Sequence, residues 1–115
     1  MTETYEAFQE GRKRLRAGQT AQATVPLEKA KRREPGKASI RETLGIAYFR
    51  LGRYEEAADE FRAVLALSPV NDYAHYALGR CLEKLGRETE AQGHYKLARS
   101  LRPGEAQYEA RVREA

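Results

Sequence analysis

Tyr73, Tyr76, Arg80 and Lys84 stand at i, i+3, i+7 and i+11, a spacing that lines one face of a helix. Aromatic rings beside guanidinium and ammonium groups are anchors of protein-binding surfaces. This row leaves the apolar stripe Leu78, Leu82 and Leu85 to a different face of the same helix. The other reactive side chains are sparse. Cys81 is the one cysteine, so no internal disulfide and no cysteine zinc cluster can form. It lies on the apolar stripe, with Arg80 and Lys84 as its only basic neighbours, and reads as a small buried residue rather than a nucleophile. His75 and His94 are nineteen residues apart; no metal-ligand spacing connects them, and they read as structural. No glycine-rich phosphate loop, no ordered Ser/His/Asp set and no metal cluster is present, so the expected function is non-enzymatic, with no cofactor and no metal.

The elements that must position these residues follow from an internal period. Pro35, Pro69 and Pro103 recur every 34 residues, as do Gly18, Gly52 and Gly86, then Gly11, Gly45 and Gly79, and then Ala23, Ala57 and Ala91. Leu27, Phe61 and Tyr95 supply a large side chain at a fifth such position. Fixed periods of this length mark helical repeat arrays. The 115 residues form one domain of units 4–37, 38–71 and 72–105, with 106–115 left as a capping helix carrying Tyr108 and Val112.

Each unit reads as two helices. In the second, Leu44, Ala47, Tyr48 and Leu51 form one helical stripe, Gly52-Arg53 breaks it, and Ala57, Ala58, Phe61, Val64 and Leu65 form the next. Ser68-Pro69 ends that helix, because proline disfavours the helical conformation in the residue before it. Leu78, Cys81, Leu82 and Leu85, then Ala91, Tyr95, Ala98 and Leu101, repeat the scheme. Gly45 is expected to face Ala57, two small residues that let the helices of one hairpin approach. Pro26, inside the second helix of the first unit, is expected to remove a hydrogen bond and bend it.

Composition bounds the function. Apolar residues make 41% of the chain and charged ones 33%, enough for both a core and a solvated surface. The mean hydropathy is -0.79, and no apolar run reaches the roughly 18 residues of a membrane span. Met1 reads as a native start, and the residues after it do not form a secretory signal, which leaves the cytoplasm as the expected location. Of the net charge of +4, residues 11–37 carry +7, from nine Lys/Arg against Glu28 and Glu34. A basic first third is an alternative surface for nucleic acid or anionic surfaces, although no nucleic-acid motif accompanies it and nucleic acid is not the expected partner. Self-association through the exposed ends of the array, at Tyr108 or the apolar edge of the first unit, is a further alternative. Arginine outnumbers lysine fifteen to six and Asn71 is the one asparagine, a bias of GC-rich or thermophilic sources.

The recurring residues resemble the tetratricopeptide repeat. The second unit carries Leu44-Gly45, Tyr48, Leu51-Gly52, Tyr54, Ala57, Phe61 and Pro69; the third carries Leu78-Gly79, Leu85-Gly86, Ala91, Tyr95, Ala98 and Pro103. The first keeps Gly11, Gly18, Ala23, Leu27, Ala30 and Pro35 but has Glu10 and Arg14 where the inner units are apolar, as terminal repeats facing water do. The opening aromatic of the family pattern is missing from all three units, where Ala7, Arg41 and His75 stand. The resemblance implies an all-α, right-handed superhelix of three helix-turn-helix repeats, with the first helix of each lining a concave groove that holds a protein or peptide. Carried over by position, the groove residues are Tyr5, Phe8, Arg12 and Arg16; Glu42, Ile46, Phe49 and Arg50; and Tyr73, Tyr76, Arg80 and Lys84. Five bases there against Glu42 and nearby Glu83 favour an acidic or carboxylate-bearing peptide. The clamp by which chaperone-binding members grip a C-terminal carboxylate does not carry over: its positions hold Phe8, Arg12, Thr43, Tyr73 and Ala77.

Overall fold

The computed structural model describes residues 3–114. Seven helices follow in order: α1 Glu3–Arg16, α2 Thr20–Arg33, α3 Ala38–Arg50, α4 Tyr54–Leu67, α5 Asp72–Lys84, α6 Glu88–Leu101 and α7 Ala106–Arg111. The described residues form no strand. The first six pair as hairpins α1/α2, α3/α4 and α5/α6, and the hairpins stack through α2 against α3 and α4 against α5. The result is an elongated body, 49 × 24 × 21 Å, with α7 lying over α6 as a cap. This is the three-repeat α-α solenoid that the 34-residue period predicts.

Each hairpin turns the same way for the same reason. After α3, Gly52 takes a φ of +76°, a left-handed conformation that costs glycine nothing. The Arg53 N–H then reaches back to the Tyr48 carbonyl at 2.9 Å, capping a carbonyl the helix would leave orphaned. The turns after α1 and α5 repeat this, with Gln19 bonded to Arg14 and Arg87 to Leu82. Where two repeats join, Asn71 opens α5 by accepting from the Ala74 N–H at 2.9 Å, satisfying one of the free donors of a helix start.

The core is one continuous column. Leu27, Phe61 and Tyr95, the equivalent large residues of the three second helices, are at most 1% exposed. Their contacts correct the expectation for the mid-helix glycines. The atoms nearest to Gly45 are those of the Phe61 ring; Gly11 meets Leu27 first and then the backbone of Ala23, and Gly79 meets Tyr95. The glycines are small so that a large side chain, sixteen residues on, lies across them. A Cβ on Gly79 would stand 2.5 Å from Cε1 of Tyr95, a fully buried ring. Helix propensity alone says Gly79→Ala should stabilise by about 1 kcal/mol. The clash reverses the sign: overpacking a filled core costs about 1–3 kcal/mol. Gly79→Ala is therefore expected to lower the midpoint of urea unfolding, and a raised midpoint would contradict this packing.

Polar side chains stitch the hairpins together. Glu60 on α4, 3% exposed, takes Lys31 of α2 at 2.6 Å and Arg41 of α3 at 3.1 Å. Arg41 stands where the family pattern has its opening aromatic, and its Nε also donates to the Pro35 carbonyl at 2.9 Å. An ion-paired cation thus replaces ring packing at that site. Tyr48 donates its hydroxyl to Glu28 across the same junction. α2 continues through Pro26, which stands in the interior of the helix. At the far end, Tyr108 of α7 is buried against the Tyr76 ring, centroids 5.1 Å apart, and donates to Asp72 at 2.6 Å.

Candidate functional site

Two hollows lie side by side along the first helices. One, of about 290 Å³, is walled by Ile46, Phe49 and Arg50 of α3 and by Tyr73, Tyr76, Ala77 and Arg80 of α5, with Phe61 of α4 contributing to its lining. The other is lined by Arg12, Leu15 and Arg16 of α1 and by Thr43, Ile46 and Arg50 of α3. Ile46 and Arg50 belong to both, so the hollows form one groove.

Of the residues expected there, Arg12, Arg16, Ile46, Phe49, Arg50, Tyr73, Tyr76 and Arg80 stand around these hollows. Four do not line them. Phe8 is 9% exposed and belongs to the core, with the Arg12 guanidinium 5.4 Å above its ring. Tyr5 and Lys84 are exposed outside the hollows, and Glu42 is half-buried. The contribution of Phe61 was not legible as a groove residue, because its stripe marks it equally well as core. Leu15, Thr43 and Ala77 also line the groove, one or more positions away from the expected rows.

Aromatic packing explains the groove's shape. Tyr73 lies edge-on to Phe61 at 6.3 Å and tilted to Tyr76 at 6.2 Å. Tyr76 in turn contacts Tyr95 and Tyr108 and is buried, so it is mostly structural. Burial, and then the nearby Glu42 carboxylate, push the Tyr73 hydroxyl above its ordinary range, keeping it neutral and able to donate.

Arg80 is the most unusual group in the groove. Its guanidinium sits 5.3 Å from the Phe49 ring centre, and Nη1 donates to the Tyr76 hydroxyl at 3.3 Å. Its Nε is buried with no hydrogen-bond partner. A buried donor without an acceptor costs about 1–3 kcal/mol. With Nη1 occupied and Nε buried, Nη2 is the nitrogen left to meet a ligand carboxylate.

The rest of the charge is distributed in keeping with that. Ten of the fifteen arginines have a carboxylate within 4.0 Å. Among the described residues, the five without one are Arg12, Arg16, Arg32, Arg50 and Arg80, and four of these line the groove. Cys81 plays no part there. It is fully buried, and desolvation pushes its thiol up to about 12, which removes the thiolate a nucleophile needs. Among the described residues, no three His, Cys, Asp or Glu side chains gather as a metal site, and no helix is long and apolar enough to cross a membrane.

The model of the tetratricopeptide repeat matches residues 8–72 and again 42–106, two overlapping windows that span the three hairpins. The chain belongs to the tetratricopeptide repeat family. Mouse superkiller complex protein 3 is 35% identical over 83 residues, covering 72% of this chain and 5% of that protein. The chain thus spans about one-twentieth of that protein's length. Among solved structures, the MamA R50E mutant is 31% identical, with a TM-score of 0.85 over 90% of this chain and 76% of its own. The first tetratricopeptide domain of Spaghetti (RPAP3), bound to the HSP90 peptide SRMEEVD, superposes with a TM-score of 0.90 over 96% of this chain and 87% of its own. At 20% identity that likeness is one of fold.

Proposed function

We propose that this chain is a non-enzymatic scaffold that holds an acidic segment of a partner protein in the groove between α1, α3 and α5. One observation carries the reading. The arginines that lack a carboxylate are concentrated in the groove, while those elsewhere are almost all paired. An unpaired guanidinium beside an apolar hollow is a site where a ligand carboxylate gains charge-assisted hydrogen bonds and loses little competing solvent. The superposable RPAP3 domain holds a peptide whose sequence ends Glu-Glu-Val-Asp, which is consistent with an acidic ligand on this fold. Since the positions of the chaperone-tail clamp hold Phe8, Arg12, Thr43, Tyr73 and Ala77, recognition here rests on Arg50 and Arg80 in a different place.

Selection of random heptapeptides displayed on phage tests this. Enrichment of sequences with Asp or Glu beside an aliphatic or aromatic residue is the expected outcome. Enrichment of basic sequences, or none over a control column, would contradict it.

A further inference from the structure

The hairpins carry different side chains at one pair of equivalent positions. In the second hairpin the pair is Arg41 and Glu60, joined at 3.1 Å, with Arg41 also donating to the Pro35 carbonyl. Thirty-four residues on, the pair is His75 and His94. His75 Nε2 lies 2.9 Å from the carbonyl of Pro69, so the loop before the helix is held in the same way. Its Nδ1 lies 3.1 Å from Nδ1 of His94.

The geometry of the two rings says what they share. Their planes differ by 25° and their centres are 5.3 Å apart, nearly the 3.1 Å contact plus the two ring radii. The nitrogens therefore face each other head on. A metal held by both rings needs lone pairs that converge on one point about 2 Å from each nitrogen. Head-on nitrogens hold a proton instead. The Pro69 carbonyl only accepts, so Nε2 of His75 carries a hydrogen, and neutral His75 presents a bare Nδ1. His94 Nδ1–H then donates to it. Charging both rings puts a hydrogen on each Nδ1 and turns the bond into a repulsion.

We propose that His75 and His94 form an acid-sensitive latch at the junction of α4, α5 and α6, closed while the rings share one proton and opened when both are charged. The second hairpin, with its permanent ion pair at the same two positions, has no such response. The charged groups that reach the pair are Arg62 from α4, itself paired with Asp59 at 3.2 Å, and Glu90 on α6. Burial first, then His75 and Arg62, hold His94 below its ordinary 6.5 against the opposing pull of Glu90. The unfolded chain therefore binds more protons at this site in acid. The latch's contribution is complete above the unfolded value near 6.5 and is lost as the pH falls through it toward the lower folded value.

Urea unfolding of the wild type and of the double variant His75→Arg/His94→Glu, between about pH 7.5 and about pH 5, reads this directly. The variant rebuilds the ion pair of the second hairpin. The wild-type unfolding constant is expected to rise on the order of tenfold more than the variant's over that range. Imidazole signals of the wild type in NMR are expected to show coupled titration of the two rings. Parallel pH profiles, or two rings titrating independently at the unfolded value, would overturn the proposal. Should the double variant not fold, His94→Gln, which leaves one titrating ring with a neutral donor, is expected to flatten the profile in the same way.

Discussion

Phe61→Ala is expected to cost about 3–5 kcal/mol, the range for removing a fully buried aromatic ring. Phe61 is 1% exposed and lies across Gly45. It also meets Tyr73 of the next hairpin edge-on at 6.3 Å. One ring thus fills the inside of the second hairpin and part of the junction with the third. In a repeat array each unit is stable only against its neighbours, so the loss falls on two interfaces at once. A small domain has only about 5–15 kcal/mol in hand, and the variant is expected to show a large fall in the urea midpoint with weakened cooperativity. A loss below about 1 kcal/mol, as for an exposed residue, would show that the second hairpin does not depend on this ring.

The second large effect concerns binding. Arg50→Glu/Arg80→Glu is expected to weaken an acidic peptide by on the order of 100-fold. Each charge-assisted hydrogen bond contributes about 1.5–3 kcal/mol, and about 2.7 kcal/mol corresponds to that factor. Reversal adds repulsion, so the figure is a lower bound. Arg50 is exposed and Arg80 half-buried, so helical circular dichroism is the control for folding. Arg80→Gln, which keeps much of the length and removes the charge, is the gentler variant and is expected to lose about tenfold. Wild-type affinity is expected to fall as salt rises, since exposed charge pairs are screened, with a shallower dependence in the double variant. Affinity unchanged in the reversed variant would place the ligand elsewhere.

The architecture was legible because a period of 34 residues is a global signal that local ambiguity does not blur. Proline and glycine mark the same joints in each unit, and those joints are where the chain turns. Side-chain partners across a hairpin were legible only in part. Gly45 was expected against Ala57, a match of small with small. The packing sets Gly45 first under Phe61, because a ring reaches over a glycine from a full turn further along α4. The sequence spacing cannot separate these two arrangements, since Ala57 and Phe61 lie on one stripe of the helix.

The groove was legible as rows of positions, and Arg12, Arg16, Ile46, Phe49, Arg50, Tyr73, Tyr76 and Arg80 do stand around the hollows. Depth was not legible. Phe8 and Tyr76 face inward enough to be core, and nothing in their spacing distinguishes them from an exposed neighbour such as Tyr73. The pairing of His75 with His94 was missed for a related reason. Nineteen residues is no spacing within a helix, so only the hairpin brings those positions together. The salt bridge of Arg41 with Glu60 uses the same separation and was the signal that could have revealed it.

The claim that most needs testing is that the groove between α1, α3 and α5 takes the acidic segment. The direct measurement is a ¹⁵N-resolved NMR titration of the whole chain with an acidic heptapeptide from the phage selection. Saturable shifts confined to α1, α3 and α5, strongest around Ile46, Phe49, Arg50, Tyr73 and Arg80, are predicted. Shifts gathered instead around Lys29, Arg32 and Lys37, with the groove signals unmoved, would contradict it.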